Sequence, residues 1–319
     1  MDKFVAMNVF RHVVQCGSFA RAAEKLGLST TAASRHIANL EESLGSVLLH
    51  RSTRKISVSE KGKIYYERCC DLLDQLAETE SLVCESDARV VGRLRVSAPV
   101  TLAQKYIIPH IPDFLMRHPE LRLEISLNDC QVDLAEEGVD VAIRVTQKPQ
   151  SHLIARPLAP ARIALCASPA YLARHGTPET PQDLMHHNCL THAHVPGTWR
   201  FIREGQLHEV PIRGQLHTDS CDMLRTAALA HQGIILEPTF NVGADLCAGR
   251  LVSLLPGYAY ARQYQIYAVY LSSNRNSGRV LAFVDFVEEL FGRGSPVWDQ
   301  RLPDAEGRLT EHQLAAVAA

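Results

Sequence analysis

The chain has 319 residues, 46% apolar and 21% charged, with 33 Lys and Arg against 35 Asp and Glu. That length suits two or three domains with ample core material. It holds no run approaching the roughly 18 apolar residues of a membrane span, and Met1-Asp2-Lys3-Phe4 lacks the basic and then apolar profile of an export signal, so the expected compartment is the cytoplasm.

The near-neutral total hides a gradient. Residues 1–68 carry eleven Lys and Arg against six Asp and Glu, whereas residues 69–90 carry one against six. Basic charge concentrated at one end is what a module that meets phosphates requires. Phe4, Met7, Phe10 and Val14 recur at helical spacing, and Gly17 closes that helix. Ser18 is placed to cap a second helix with Phe19, Ala22, Ala23 and Leu26 turned inward. Gly27 supplies a tight turn, Leu28 plugs the core beneath it, and Ser29 caps a third helix whose buried face is Ile37, Leu40 and Leu44.

Two short helices joined by a Gly-containing turn read as a helix-turn-helix. The small residues Thr30, Thr31, Ala32 and Ser34 let the third helix come close to base edges, Arg35 adds reach, and Glu41 and Glu42 lie two turns further on, clear of phosphates. In "SVLLHRSTRKISVSEKG", two short apolar runs flank a tip bearing Arg51, Arg54 and Lys55, which reads as a β-ribbon wing over the DNA backbone. From Ser59 a long helix is expected. Its Tyr65, Cys69, Leu72, Leu76, Thr79 and Val83 make a heptad seam that predicts pairing with a second copy; the competing reading packs that face against its own domain. After Gly92, β-rich runs such as "RLRVSAP", "LRLEISL", "DVAIRV" and "GIILEP" alternate with helical stretches at Thr101 to Arg117, Asp219 to His231 and Gly278 to Phe291, which implies an α/β domain with largely parallel sheets.

The stretch "SFARAAEKLGLSTTAASRHIANLEESLGSVLLHRSTRKISVSEKG" resembles the amino-terminal pattern of LysR-type transcriptional regulators nearly position by position, and the likeness continues more weakly to about Phe291. Small departures are Leu49, where Phe is usual, Ser59, where Thr is usual, and Val145, where Gly often follows the Arg. The resemblance implies an α+β chain: a winged helix-turn-helix over 1–58, a linker and dimerisation helix over 59–90, and an effector domain over 91–292 similar to periplasmic solute-binding proteins. The effector domain would divide into subdomain I (93–167 plus 267–291) and subdomain II (168–266), followed by a partly disordered tail, 293–319. Ser29, Thr30, Thr31, Ser34, Arg35, Arg51, Arg54 and Lys55 are the implied DNA contacts. Thr101, Leu102, Asn128, Thr198, Trp199, Thr218 and Ser220 match positions that line the family's effector site. The implied partners are double-stranded promoter DNA, a small organic effector, further copies of the chain in a homodimer or homotetramer, and RNA polymerase; no cofactor and no membrane are implied.

Two helix starts, after "SAPV" at Thr101 and after "LHTDSC" near Asp219, would present unpaired N–H groups to one cleft, a natural receptor for a carboxylate. Asp219 is expected to cap its own helix, and Trp199 suggests an aromatic effector. Competing chemistries have weaker support. The run "MHHNCLTHAH" offers His186, His187, Cys189, His192 and His194 as metal ligands, but in no standard spacing. Thiol sensing would need an exposed, acidified pair among Cys130, Cys166, Cys189, Cys221 and Cys247, where buried inert thiols are the default. No nucleophile elbow, phosphate-binding loop or dinucleotide fingerprint marks an enzyme. A periplasmic solute receptor is disfavoured by the winged helix.

Overall fold

The computed structural model describes residues 2–51, 56–83, 90–129, 133–193, 195, 197–292, 294–300 and 302. The chain forms two compact units, one of residues 1–93 with 120–122, the other of 94–119 with 123–319.

In the first unit, α1 (Lys3–Cys16), α2 (Phe19–Lys25) and α3 (Thr30–Leu44) precede a ribbon of β1 (Leu49–Arg51) and β2 (Ile56–Val58) and the 24-residue α4 (Glu60–Val83). Each helix start has a side-chain acceptor: Asp2 takes the Phe4 and Val5 N–H groups, Ser18 that of Arg21, and Ser29 that of Ala32. Such caps each contribute about 1 kcal/mol. Val9, Phe10, Val13, Ala22, Ala33, Ile37 and Leu40 form the centre of the core. Burying a ring such as Phe10 stabilises by about 1.5–3 kcal/mol, and here the ring also meets Tyr65 and Tyr66 of α4 at 5.8 and 6.2 Å.

The direction of the α4 seam differs from expectation. Cys69 and Leu73 are buried in the core of this same unit, with Tyr65 and Tyr66 packed against it, while Leu72 of the proposed seam is 52% exposed. The first half of α4 therefore follows the competing reading, because a three-helix unit of this size needs the α4 face to close its own core. Arg11 Nη1 pairs with Asp74 Oδ1 at 2.9 Å, tying α1 to α4, and Asp74 Oδ2 also accepts the Arg93 N–H at 3.2 Å.

The second unit continues as β3 (Gly92–Ala98), α5 (Val100–Leu102), α6 (Ile111–Arg117), β4 (Leu121–Leu127), β5 (Val141–Thr146), β6 (Ile154–Ala161), β7 (Ile163–Ala167), α7 (Pro169–His175), β8 (Cys189–His192), β9 (Thr198–Arg203) and β10 (Gln206–Pro211). It closes with β11 (His217–Thr218), α8 (Cys221–Leu229), β12 (Ile234–Pro238), α9 (Thr239–Cys247), β13 (Val252–Ser253), β14 (Ala259–Tyr260), β15 (Tyr264–Tyr270) and α10 (Gly278–Phe291). Two five-stranded sheets result, in the orders β4-β3-β5-β15-β6 and β11-β8-β12-β7-β13, with a small sheet β10-β9-β14 beside them. The expected helix from Thr101 to Arg117 is interrupted: a π segment, Ala103–Ile107, and a 3-10 turn, Ile108–His110, separate α5 from α6. Pro109 and Pro112 supply no N–H to an α-helical ladder, which accounts for the break.

The sheets are more antiparallel than expected. β3 runs parallel to β5 and β8 parallel to β11 and β12, but β15 is antiparallel to both of its neighbours, as is β7 to β12 and β13. Strand β7, expected in the first subdomain, belongs to the second sheet, and β15 returns to the first sheet at Tyr264. The chain thus crosses between sheets at Arg162 and again between Tyr260 and Tyr264. Residues 294–300, which show little periodicity, are also packed: Trp298 sits 4.9, 6.1 and 5.1 Å from the rings of Tyr106, Phe240 and Phe291. The end of the chain, expected to be loosely ordered, lies outside the described residues.

Candidate functional site

Two surfaces carry chemistry, one in each unit. On the first, Ser29 has extended backbone and its hydroxyl caps α3, so Thr30, Thr31 and Arg35 stand exposed on the first two turns with Ser34 half-buried beside them. Five of the eight residues expected to meet DNA are therefore brought onto the start of one helix. Arg51 ends β1; Arg54 and Lys55 lie outside the described residues. Glu41, expected only to lie clear of phosphates, has a structural role. Its Oε1 accepts the N–H groups of Leu48 and Leu49 at 2.8 and 3.0 Å, fixing the first strand of the ribbon to the reading helix. At the same end of the ribbon Ser59 donates to the Val47 carbonyl at 2.6 Å and accepts the Gly62 N–H at 2.9 Å.

The second surface is a cavity of about 540 Å³ between the two sheets, lined from both. Its volume falls within the roughly 300–1,000 Å³ of small-molecule sites. Of the seven residues expected to line it, the structure brings Thr101 and Asn128 to its wall. The other five are not among its lining residues. Leu102 is fully buried, and Trp199, 1% exposed, lies in the core beneath the small sheet with Phe201, the next residue but one on β9. Thr198 is on the same strand and half-buried. The Thr218 hydroxyl accepts the Ser220 N–H at 3.2 Å, and Ser220 in turn caps α8 by accepting the Met223 N–H at 3.3 Å. Ser220, not Asp219, is thus the cap, because it is the residue immediately before the helix and has the extended backbone (φ −104°, ψ 113°) that a cap needs. With Trp199 in the core, the argument for an aromatic effector loses its basis.

Both expected helix starts do reach the cavity, through Thr101 and Cys221. Their donors are already partly engaged: the Val100 N–H is taken by Asp129 Oδ1 at 3.0 Å. The charged groups on the wall are Asp129, Arg144, Lys148 and Glu237, none singled out as ligand-contacting by the sequence reading. Arg144 Nη2 donates to Ser97 Oγ at 2.8 Å and Nη1 to the Ile143 carbonyl at 2.9 Å. Among the described residues no carboxylate lies within ion-pair distance of its guanidinium. Glu237 is 1% exposed and accepts from Asn241 Nδ2 at 2.9 Å. Burial, reinforced by the charge of Asp129, pushes its carboxyl up to about 8. A signal for both residues was present in the sequence: each places a charge inside an apolar strand, "DVAIRV" and "GIILEP", where an ionisable side chain needs a purpose.

The histidine run is dispersed. Tyr171 and His187 Nδ1 are hydrogen-bonded at 3.2 Å, Cys189 is buried, and His192 lines the cavity; His194 lies outside the described residues. The thiols of Cys166 and Cys221 are pushed far up by burial, and that of Cys189 up to about 12, the opposite of the acidified thiol a sensor uses. Cys247 is exposed, and Cys130 lies outside the described residues.

Comparison with known proteins gives two family matches: the bacterial regulatory helix-turn-helix protein of the lysR family over residues 4–63, and the LysR substrate binding domain over residues 87–292. The HTH-type transcriptional regulator YhjC of Escherichia coli is 35% identical over 90% of this chain and 97% of its own length. An HTH-type transcriptional repressor of Pseudomonas aeruginosa is 35% identical over 93% of this chain and 95% of its own length. Among solved structures, CrgA, a LysR-type transcriptional regulator from Neisseria meningitidis, is 33% identical, covers 91% of this chain and 99% of its own, and superposes with a TM-score of 0.59.

Proposed function

The chain belongs to the LysR family of transcriptional regulators, and we propose that it reads an interrupted palindrome in promoter DNA through paired α3 helices while a small organic anion in the cavity biases its geometry. It is a DNA-binding regulator with an effector-binding domain, not an enzyme. In the finer reading, Thr30, Thr31, Ser34 and Arg35 face the major groove, and Arg51, Arg54 and Lys55 hold phosphates. The working unit is a homodimer or a dimer of dimers acting in the cytoplasm, with RNA polymerase as a further partner. Among the described residues no helix is long and apolar enough to cross a membrane.

The observation that carries the DNA reading is the start of α3. Ser29 caps the helix, and on its first two turns the short hydroxylated Thr30 and Thr31 and the long cation Arg35 are exposed, with Ser34 half-buried beside them. A helix that enters a groove by its N-terminal end needs that arrangement. Substituting Arg35→Ala should weaken binding to the protein's own upstream promoter and relax base preference, each good base contact being worth about 1–3 kcal/mol. Retention assays against point-substituted promoter fragments measure this; an unchanged preference would put the reading helix elsewhere.

For the effector, the supporting observation is Arg144, a cation on the cavity wall with no carboxylate within ion-pair distance among the described residues, accompanied by Lys148. A bound anion complements it. An effector shifts the DNA-bound state only as far as it binds one arrangement better than the other, so thermal shifts with and without promoter DNA should differ for a true effector and coincide for a bystander.

A further inference from the structure

The cavity holds charge of both signs. Arg144 and Lys148 lie on its wall, but so do Asp129 and Glu237, and a simple anion would satisfy the first pair while facing the second. The acidic side is built as well as the basic one. The Asn241 side-chain amide donates both to Glu237 Oε2 and to the Cys221 carbonyl, each at 2.9 Å. Its Oδ1 accepts from Lys105 Nζ at 3.2 Å, which fixes which way the amide points. Glu237 thus has an amide donor at its buried side chain, yet no cation lies within ion-pair distance of it among the described residues. The nearby ammonium, Lys105, is bonded to Asn241 instead, its Nζ 2.6 Å from the Asn241 carbonyl.

Resting on the reading of this cavity as an effector site, we propose that the effector is an amino-bearing organic acid. Its carboxylate would lie at Arg144 and its ammonium beside Glu237 and Asp129. The ligand then supplies the missing cation on one side and the missing anion on the other, and each charge is buried with a partner. Asp129 lines the same wall, and its charge acts on both Glu237 and Arg144. The other groups facing Glu237 are Lys105, Cys221 and Cys166. Because burial holds Glu237 protonated near neutrality, an arriving ammonium displaces that proton, and binding of this class releases a proton to solvent.

The test uses the full chain and a fixed probe set: the twenty standard amino acids, ω-amino acids of three to six carbons, and, matching each, the amine-free acid, the carboxyl-free amine and the neutral amide of the amine-free acid. Affinities come from calorimetry in two buffers of different ionisation enthalpy. At least one amino acid should bind, with its amine-free counterpart about 10- to 100-fold weaker, the span of one charged hydrogen bond, and with proton release below pH 8. Glu237→Gln, which keeps the size and the neutral form, should abolish that preference and the proton release while carboxylate binding persists; Asp129→Asn should reduce the preference. Binding of amine-free acids as tightly as their amino partners, an unchanged preference in Glu237→Gln, or no binding by any amino acid overturns the proposal. If neutral or purely cationic metabolites bind and no carboxylate does, the anion reading of the cavity falls with it; tight binding of amine-free acids removes only the ammonium.

Discussion

Glu237 has a consequence for stability whatever the cavity binds. Its carboxyl is pushed from an ordinary value near 4.5 up to about 8 in the folded chain, so between those pH values the folded state holds a proton that the unfolded state has lost. A raised pKa contributes stability that is fully present below about 4.5 and is lost as pH climbs toward 8, with a slope of about 1.4 kcal/mol per pH unit. Glu237→Gln cannot ionise. Its stability relative to wild type should therefore rise with pH across that window and level off above it, as measured by urea titrations at half-unit steps. A flat difference would mean the carboxylate is ionised when folded. The same residue shows what the sequence withheld. The winged-helix elements were legible because caps and helix periodicity are local; the cavity was not, because which face of a strand meets a cleft depends on the sheet it joins. Trp199 has the composition of a ligand contact, but the β9 register turns it toward Phe201 and the core.

At the scale of elements, the joints between helix, ribbon and linker helix decide how the reading head is held. Gly62 sits in the first turn of α4, where Ala ordinarily stabilises a helix by about 1 kcal/mol over Gly. Here an added Cβ would stand 2.2 Å from the Leu48 carbonyl oxygen and 2.9 Å from a Val58 methyl. Backbone cannot yield as a side chain can, so the steric cost outweighs the propensity gain, and Gly62→Ala should destabilise by about 1–3 kcal/mol. A lower melting temperature together with weaker DNA binding tests it. In the second unit, Trp298 packs on Tyr106 beside the first sheet and on Phe240 of α9 beside the second, where the Tyr106 hydroxyl also donates to the Phe240 carbonyl at 3.1 Å. Trp298→Ala should cost about 3–5 kcal/mol. Trp298→Phe should cost less, since it keeps a ring and removes a buried indole N–H that has no hydrogen-bond partner among the described residues. Equal losses in the two variants would show that ring packing is not what holds this segment.

Over the whole molecule, charge is partitioned by task. The eleven Lys and Arg against six Asp and Glu of residues 1–68 give the reading head a positive field, although the full chain is slightly acidic. This gradient was readable before any fold, since it depends only on where cations fall along the chain. The boundary between sheets was less readable, because β7 and β15 have the apolar texture of either subdomain and only pairing assigns them. The partition makes a prediction that separates phosphate contact from general electrostatics. Each phosphate neutralised releases counterions and steepens the fall of log K with log salt by about 0.9. Arg54→Ala should flatten that slope by about 1 for every reading head on the DNA and weaken binding to all sequences alike, leaving base preference intact. Lys148→Ala removes the same formal charge from the cavity wall and should leave the slope unchanged. Equal flattening by both variants would mean that total charge, not a wing seated on the backbone, governs affinity, and titrations from 50 to 200 mM salt distinguish the two, because that range separates strong from weak phosphate contact.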